Sequence, residues 1–132
     1  MKTALITGIS KGIGRALAEK FLLEKFAVIG TTTNGSADIM HEKLTVLQLD
    51  LTEPDSIGRA SALVSQYAQT NGKIEILINN AGVLFDDEET RVIVAKLRNT
   101  LEVNLIGTVD FTERVVLSIG NPGHIVNISS QA

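Results

Sequence analysis

Continuous apolar runs alternate along the chain with segments whose apolar residues recur at helical spacing. The runs are short and rich in branched side chains, as in strands that are buried on both faces of a sheet. They cover residues 4–6, 26–31, 44–49, 74–78 and 124–128. Strands that alternate with helices in this way predict a doubly wound, parallel α/β sheet with helices on both faces.

Three segments between these strands have the pattern of amphipathic helices. The first covers residues 15–24, and its helical spacing starts at Ile13. One buried face is predicted, formed by Ile13, Leu17, Ala18, Phe21 and Leu22. In the second, Thr52 is a plausible N-cap, and the helix should stop near Gly72. The third runs from about residue 89 to 118 and can break near Asn99. Its second half places one set of side chains on a common face: Leu101, Leu105, Thr108, Thr112 and Val116.

The connections carry weaker signals. Residues 34–43 leave room for a short helix or an irregular loop, and the Gly-Asn-Pro-Gly sequence at 120–123 predicts a turn. The acidic run at 86–89 is better explained as the solvated first turn of a helix than as a metal site.

Composition narrows the class of protein. A chain of 132 residues with 44% hydrophobic residues and a mean hydropathy of +0.20 predicts a single domain, residues 1–132. The net charge is −3 and the basic residues are scattered, which argues against nucleic acid and anionic membranes as partners. The absence of cysteine excludes disulfides and thiolate nucleophiles. No apolar stretch is long enough to span a bilayer, so we expect a cytoplasmic protein.

The most informative stretch is the glycine-rich turn Gly-x-x-x-Gly-x-Gly formed by Gly8, Gly12 and Gly14, between the first strand and the first helix. Glycines here allow a sharp turn and a close approach to a diphosphate, which the helix N-terminus also favours. By itself the spacing fits close packing as well as a nucleotide site. A Walker phosphate loop is excluded, because Arg15 and not Lys-Ser/Thr follows Gly14.

Four polar or glycine-rich segments fall where predicted strands end. They are the Gly8–Gly14 turn, Asp50, the Asn79–Gly82 turn and the pair Ser129-Ser130. In a parallel sheet these ends meet at one edge, which is where such folds bind ligands. The sequence therefore predicts one ligand site at this edge.

In this order the motifs resemble the N-terminal half of a classical short-chain dehydrogenase/reductase. The resemblance covers the whole chain and implies an incomplete Rossmann-like sheet with the strand order 3-2-1-4-5. It rests on Thr7-Gly8-x-x-x-Gly12-x-Gly14, Asp50-Leu51-Thr52, Asn79-Asn80-Ala81-Gly82, Val103-Asn104 and Ile125-Val126-Asn127-Ile128-Ser129-Ser130.

The resemblance also implies roles for individual residues. Gly8, Gly12 and Gly14 would line the cofactor diphosphate, Asp50 would contact the adenine, and the segment from Asn80 through Ala81 to Gly82 would pass beside the adenosine ribose. The other residues expected to bind the cofactor in these segments are Ser10, Lys11, Ile13 and Leu51. Asn104 would help to hold a water in a proton relay, and Ser130 would donate a hydrogen bond to the substrate carbonyl. The alternatives are that Asn104 bonds only to backbone and that Ser130 merely ends a strand.

The second strand ends in Thr32, Thr33 and Asn34, without the carboxylate that binds the ribose hydroxyls in NAD-dependent folds. Threonine hydroxyls can donate to a 2′-phosphate, and Lys11 can supply the opposite charge. We therefore favour NADP(H) over NAD(H). The alternative is that Lys11 is an ordinary surface lysine.

The family's Tyr-x-x-x-Lys pair is expected beyond the serine, whereas the only tyrosine is Tyr67 and Asn71 stands four positions later. We therefore expect an N-terminal part, inactive alone, of an oxidoreductase acting on a small carbonyl or alcohol, as carbonyl reductases and alcohol dehydrogenases do. It would form homo-oligomers through the helix between Leu101 and Val116. The alternatives are a non-catalytic dinucleotide-binding regulatory module and a fragment completed by another chain. No histidine triad or cluster of metal ligands is apparent.

Overall fold

Parallel strands form one sheet in the order β3-β2-β1-β4-β5. The computed structural model describes residues 1–82 and 93–129. The strands are β1 (Thr3–Ile6), β2 (Ala27–Thr32), β3 (Leu44–Gln48), β4 (Ile74–Asn79) and β5 (Ile119–Asn127). This confirms the doubly wound sheet and the strand order expected from the sequence.

Helices connect the strands on both faces of the sheet. They are α1 (Gly12–Leu23), α2 (Pro54–Asn71), α3 (Val94–Leu101) and α4 (Thr108–Val115), with a π-helical turn (Glu102–Gly107) between α3 and α4. The third predicted helix is thus interrupted at this turn and not near Asn99. Residues 34–43 form an irregular connection without a helix. The acidic run at 86–89 lies outside the described residues.

Each face of the sheet carries its own hydrophobic cluster. On one face Ala18 and Leu22 of α1 belong to the cluster of Ile6 and Val28, and on the other α2 and α4 pack on Leu5. The residues that α2 and α4 bury there are Ile57, Ala60, Val64, Phe111 and Val115. Every residue of β1 and β2 is buried, which explains why these strands read as unbroken apolar runs.

Two local predictions were wrong. Ile13 is 61% exposed, because the buried face of α1 is formed by Gly14, Ala18 and Leu22 and Ile13 lies outside it. Thr52 does not cap α2, since its hydroxyl donates to Asp50 Oδ1 at 2.6 Å and Glu53 takes the N-cap position.

The Gly-Asn-Pro-Gly segment lies inside β5 and does not separate it from the preceding helix. Ile119 already pairs with Ile74 of β4, and pairing resumes where His124 meets Ile76. Residues 120–123 therefore oppose a single residue of β4 and form a bulge. The turn signal marks this bulge, and β5 begins earlier than the sequence predicted.

Apolar side chains remain exposed on α3, α4 and β5. Leu101 and Val116, which were expected on one common face, are 44% and 41% exposed, whereas Phe111 and Val115 face the core. On β5, Ile125 is 44% exposed at the edge of the sheet. In the part of the chain that the structure describes, no helix combines the length and apolar character needed to cross a membrane.

Candidate functional site

The turns that follow β1 and β4 are joined by hydrogen bonds at the carboxyl edge of the sheet. The Thr7 hydroxyl accepts the backbone N–H groups of Asn80 and Ala81, both at 3.0 Å. In return, Asn80 Nδ2 donates to the carbonyls of Gly8 at 3.0 Å and Thr7 at 3.2 Å. Each turn therefore fixes the conformation of the other.

Glycine is required where the two turns and α1 meet. A Cβ on Gly14 would lie 1.9 Å from the Gly8 carbonyl oxygen and 2.4 Å from Asn80 Nδ2. Gly8 has a φ of +73°, and a Cβ there would lie 2.9 Å from Ala81 Cα. The start of α1 consequently packs directly on the backbone of both turns.

The glycine turn is open on its outer side. Gly12 has a φ of +62°, and a Cβ there would meet no atom within 4 Å. No side chain caps the N-terminus of α1, where Lys11 holds the N-cap position. An uncapped helix N-terminus behind an open glycine turn presents N–H donors and a positive partial charge to an anion. These residues fit the diphosphate of a dinucleotide.

Ile9 and Thr31 attach the glycine turn to β2. Ile9 is fully buried, and a Cβ on Gly30 would lie 2.3 Å from its Cδ1 atom. Gly8 N donates to the Thr31 carbonyl at 3.0 Å and to its hydroxyl at 3.2 Å. The roles of Thr7, Ile9 and Thr31 were not predicted from the sequence. The available signal was Gly30, an isolated glycine in a buried strand, which indicates close approach of another segment.

Beyond β2, the predicted phosphate ligands differ in exposure. Thr33 and Lys11 are exposed, whereas Thr32 is buried and its hydroxyl donates to Asn34 Oδ1 at 3.2 Å. Among the described residues, no carboxylate pairs with Lys11. Arg15, in contrast, is paired with Glu19 at 2.9 Å and with Asp38. The hydrogen bond to Glu19 and the charge of Asp38 raise the pKa of the Arg15 guanidinium. Lys11, exposed and without a carboxylate partner among the described residues, is therefore available to a phosphate.

Asp50 follows β3 at the same edge and is half-buried. Its Oδ1 accepts the backbone N–H of Thr52 at 2.9 Å as well as the Thr52 hydroxyl. Its own N–H donates to Ser56 Oγ at 2.9 Å, and that hydroxyl donates to Gln48 Oε1 at 2.8 Å. The carboxyl group of Asp50 is therefore held in one orientation beside Leu51.

Asn104 lies in the π-helical turn and reaches the turn after β4. A Cβ on Gly82 would lie 3.0 Å from Asn104 Oδ1. The π-helical turn comes this close because Gly107 packs on Leu51, whose carbonyl oxygen would lie 2.1 Å from a Cβ at that position. Single π-helical turns inside α-helices are frequent at functional sites.

The strand β5 brings Ser129 to this edge. Ile128 N donates to the Asn79 carbonyl at 3.0 Å, and exposed Ser129 follows. Ser130 lies outside the described residues. No group of three or more potential metal ligands occurs within residues 1–82 and 93–129. The structure thus gathers the glycine turn, the Asn80–Gly82 turn and Asn104, and Leu51, which follows Asp50 in the chain, packs on Gly107.

Sequence comparison finds a family model and curated relatives that match this chain. The family model described as short chain dehydrogenase matches residues 2–132. A 3-oxoacyl-(acyl-carrier-protein) reductase FabG from Vibrio cholerae is 31% identical over 136 residues, covering 98% of this chain and 54% of the relative. An NADPH-dependent 3-dehydrocapnine reductase from Ornithobacterium rhinotracheale is 30% identical over 143 residues, covering 100% of this chain and 50% of the relative. The chain spans about half the length of these curated relatives.

Solved structures agree. The ligand-free aldohexose dehydrogenase of Thermoplasma acidophilum superposes with a TM-score of 0.80 at 30% identity, over 98% of this chain and 49% of that protein. A short-chain dehydrogenase/reductase mutant from Serratia marcescens gives a TM-score of 0.79 at 27% identity, over 98% of this chain and 56% of that one. Both similarities extend over nearly all of this chain.

Proposed function

The chain belongs to the short-chain dehydrogenase family, a family of oxidoreductases, and from this premise we propose that residues 1–132 form the dinucleotide-binding domain of an NADP(H)-dependent carbonyl reductase or alcohol dehydrogenase. The observation that carries the proposal is the open glycine turn in front of the uncapped N-terminus of α1. The bound nicotinamide would supply or accept a hydride at a carbonyl carbon of a small molecule.

The protein's own residues would bind and orient both reactants. The N–H groups at the start of α1, with Gly8, Gly12 and Gly14 leaving the backbone uncovered, would hold the diphosphate. Asp50 and Leu51 would contact the adenine. Asn80, Ala81 and Gly82 would pass beside the adenosine ribose.

Two side chains would serve the reaction itself. Ser130 would donate a hydrogen bond to the carbonyl oxygen, which stabilises negative charge as it develops without a change in the protonation state of the serine. Asn104 would hold a water that passes protons to and from the site. Its position against Gly82 supports this role, since it lies beside the turn that would contact the cofactor.

The preference for NADP(H) is supported by charge. No acidic residue stands in the segment from Thr31 to Asn34, so nothing there would repel a 2′-phosphate. Lys11 and Thr33 are both exposed. The relative from Ornithobacterium rhinotracheale is itself NADPH-dependent by name.

Replacing Lys11 with alanine is expected to weaken NADPH binding by roughly tenfold to a hundredfold, because a charge-assisted hydrogen bond to the 2′-phosphate is lost. The affinity for NADH, which lacks that phosphate, should stay the same. Fluorescence titration of the whole protein with each nucleotide measures both constants. The matched control is Lys20→Ala, which removes an equal charge from the other end of α1, where Lys20 pairs with Glu24 at 2.9 Å. Equal affinity of the unaltered protein for NADH and NADPH, or no affinity for either, would contradict the proposal.

We also propose that the protein forms homo-oligomers through the helical region between Leu101 and Val116. The supporting observation is a set of exposed apolar side chains on α4 and the π-helical turn, with Leu105 at 55% and Val109 at 57% exposure. A Val109→Glu change should convert a dimer or larger oligomer into monomers, as read by sedimentation equilibrium. Leu63→Glu, which places the same charge on α2 at a side chain 47% exposed, should leave the assembly intact. A monomeric unaltered protein would disprove this proposal.

A further inference from the structure

A line of side-chain hydrogen bonds begins at Asn79, the last residue of β4, which is 6% exposed. Asn79 Nδ2 donates to Asn127 Oδ1 at 2.9 Å and to Thr112 Oγ1 at 3.0 Å. One N–H of the amide therefore bonds to the end of β5, and the other bonds to α4. The backbone carbonyl of Asn79 also accepts from Ile128 N, so Asn79 holds two successive residues directly before Ser129.

The line continues along α4 through two threonines. The Thr112 hydroxyl donates to the Thr108 carbonyl at 2.8 Å, and the Thr108 hydroxyl donates to the Val103 carbonyl at 2.8 Å. Val103 directly precedes Asn104 in the chain. The end of β5 and the π-helical turn are therefore connected by four consecutive side-chain hydrogen bonds.

The last of these bonds matches the unusual winding of the helix. A threonine hydroxyl in an α-helix ordinarily bonds to a carbonyl three or four residues earlier, as Thr112 does with Thr108. Thr108 bonds to the carbonyl five residues earlier. That spacing belongs to π-helical winding, so the Thr108 hydroxyl stabilises the wide turn that carries Asn104.

We propose that Asn79, Thr108 and Thr112 are positioning residues that fix Asn104 relative to the end of β5, directly before Ser129. The inference rests on the proposed function, in which Asn104 and Ser130 act on one substrate. Groups that donate hydrogen bonds in a reaction must be held within a fraction of an ångström of their working positions. The packing of Phe111 and Val115 holds α4 on the sheet, and this line of hydrogen bonds adds a directional constraint on the rotation and winding of the helix.

The test compares Thr112→Val with Thr112→Ser in the whole protein. Valine keeps the shape of threonine but removes both hydrogen bonds of the hydroxyl, whereas serine keeps them. For Thr112→Val we expect kcat for carbonyl reduction to fall about tenfold with an unchanged KM for NADPH. The ¹⁵N NMR signals of the Asn104 side chain and the Ser129 amide should shift in the same variant. Thr112→Ser should restore both properties.

A matched control is Thr100→Val, because Thr100 makes the same kind of bond, to the Lys96 carbonyl at 2.9 Å, on the surface of α3. It should change neither kcat nor the two NMR signals. If Thr112→Val does not fold, Thr108→Val removes only the last bond of the line and should give the same pattern.

The outcomes separate this inference from the proposed function. If the unaltered protein reduces carbonyls but Thr112→Val has normal kcat and unshifted signals, or if serine does not restore them, the inference is overturned. If the unaltered protein shows no NADPH-dependent turnover, the proposed activity fails and the NMR comparison alone decides: shifts at both Asn104 and Ser129 support the coupling, and their absence refutes it.

Discussion

Replacing Gly14 with alanine is expected to lower the free energy of unfolding by about 3 kcal/mol or more. The new Cβ would lie 1.9 Å from the Gly8 carbonyl oxygen and 2.4 Å from Asn80 Nδ2. Neither atom belongs to a flexible side-chain end that can swing away, because Gly8 is backbone and Asn80 Nδ2 is held by two carbonyls. The start of α1 must therefore move off both turns. Thermal unfolding followed by circular dichroism should show a melting temperature lower by about 10 °C for a domain of this size.

Alanine variants of two other glycines are controls that distinguish the effect of steric overlap from that of backbone conformation. Gly58 lies within α2, and the atom closest to a Cβ there is Arg114 Nη1 at 3.8 Å, so Gly58→Ala should stabilise the protein by about 0.5–1 kcal/mol. Gly12 has a positive φ but open space around it, so Gly12→Ala should cost only about 1–2 kcal/mol of backbone strain. If the Gly14→Ala protein has the same melting temperature as the unaltered protein, the contact between α1 and the two turns is looser than the structure indicates.

The sheet could be predicted because its information is local and repeated. Each strand contains an apolar run, which is buried along its whole length in β1 and β2, and each run ends at a glycine or a polar residue. The order of the strands came from the resemblance to a family, which supplies what single-strand patterns do not contain. The same patterns also located the turns at the carboxyl edge.

Helix faces were less predictable, because hydrophobicity favours large residues while close packing favours small ones. Ile13 was assigned to the buried face of α1, yet Gly14 and Ala18 occupy it and Ile13 is exposed. A helix that lies directly on backbone leaves no room for an isoleucine. The glycine spacing itself was the better guide to that face.

Contacts between individual residues explain two further differences between the predicted and the observed helices. Thr52 had the residue type of an N-cap, but Asp50 accepts both its N–H and its hydroxyl, which draws it into a turn before the helix. The π-helical turn has no pattern in the hydrophobic positions, since it depends on Gly107 packing on Leu51 and on the Thr108 hydroxyl. Neither the packing of Gly107 on Leu51 nor the bond of the Thr108 hydroxyl can be recognised in the sequence pattern.

The second large effect is expected from Thr7→Val. Thr7 is 2% exposed, and its hydroxyl is the acceptor for two backbone N–H groups, those of Asn80 and Ala81. Valine fills the same space but accepts no hydrogen bond, so both donors would lose their partner. Each buried donor left unpaired costs about 1–3 kcal/mol, so the two donors together give a loss of about 2–6 kcal/mol in the free energy of unfolding. Urea denaturation measures the loss, and the affinity for the dinucleotide should fall with it.

Thr31→Val is the matched control for this prediction. Thr31 is equally buried, but its hydroxyl is only the weaker of two acceptors for Gly8 N, which also donates to the Thr31 carbonyl at 3.0 Å. Its replacement should therefore cost clearly less than that of Thr7. If the two variants lost the same stability, burial of a threonine and not the doubly accepting hydroxyl would explain the effect. A smaller loss for Thr31→Val would mean that the Thr7 hydroxyl holds the turns after β1 and β4 together, as the glycine site requires.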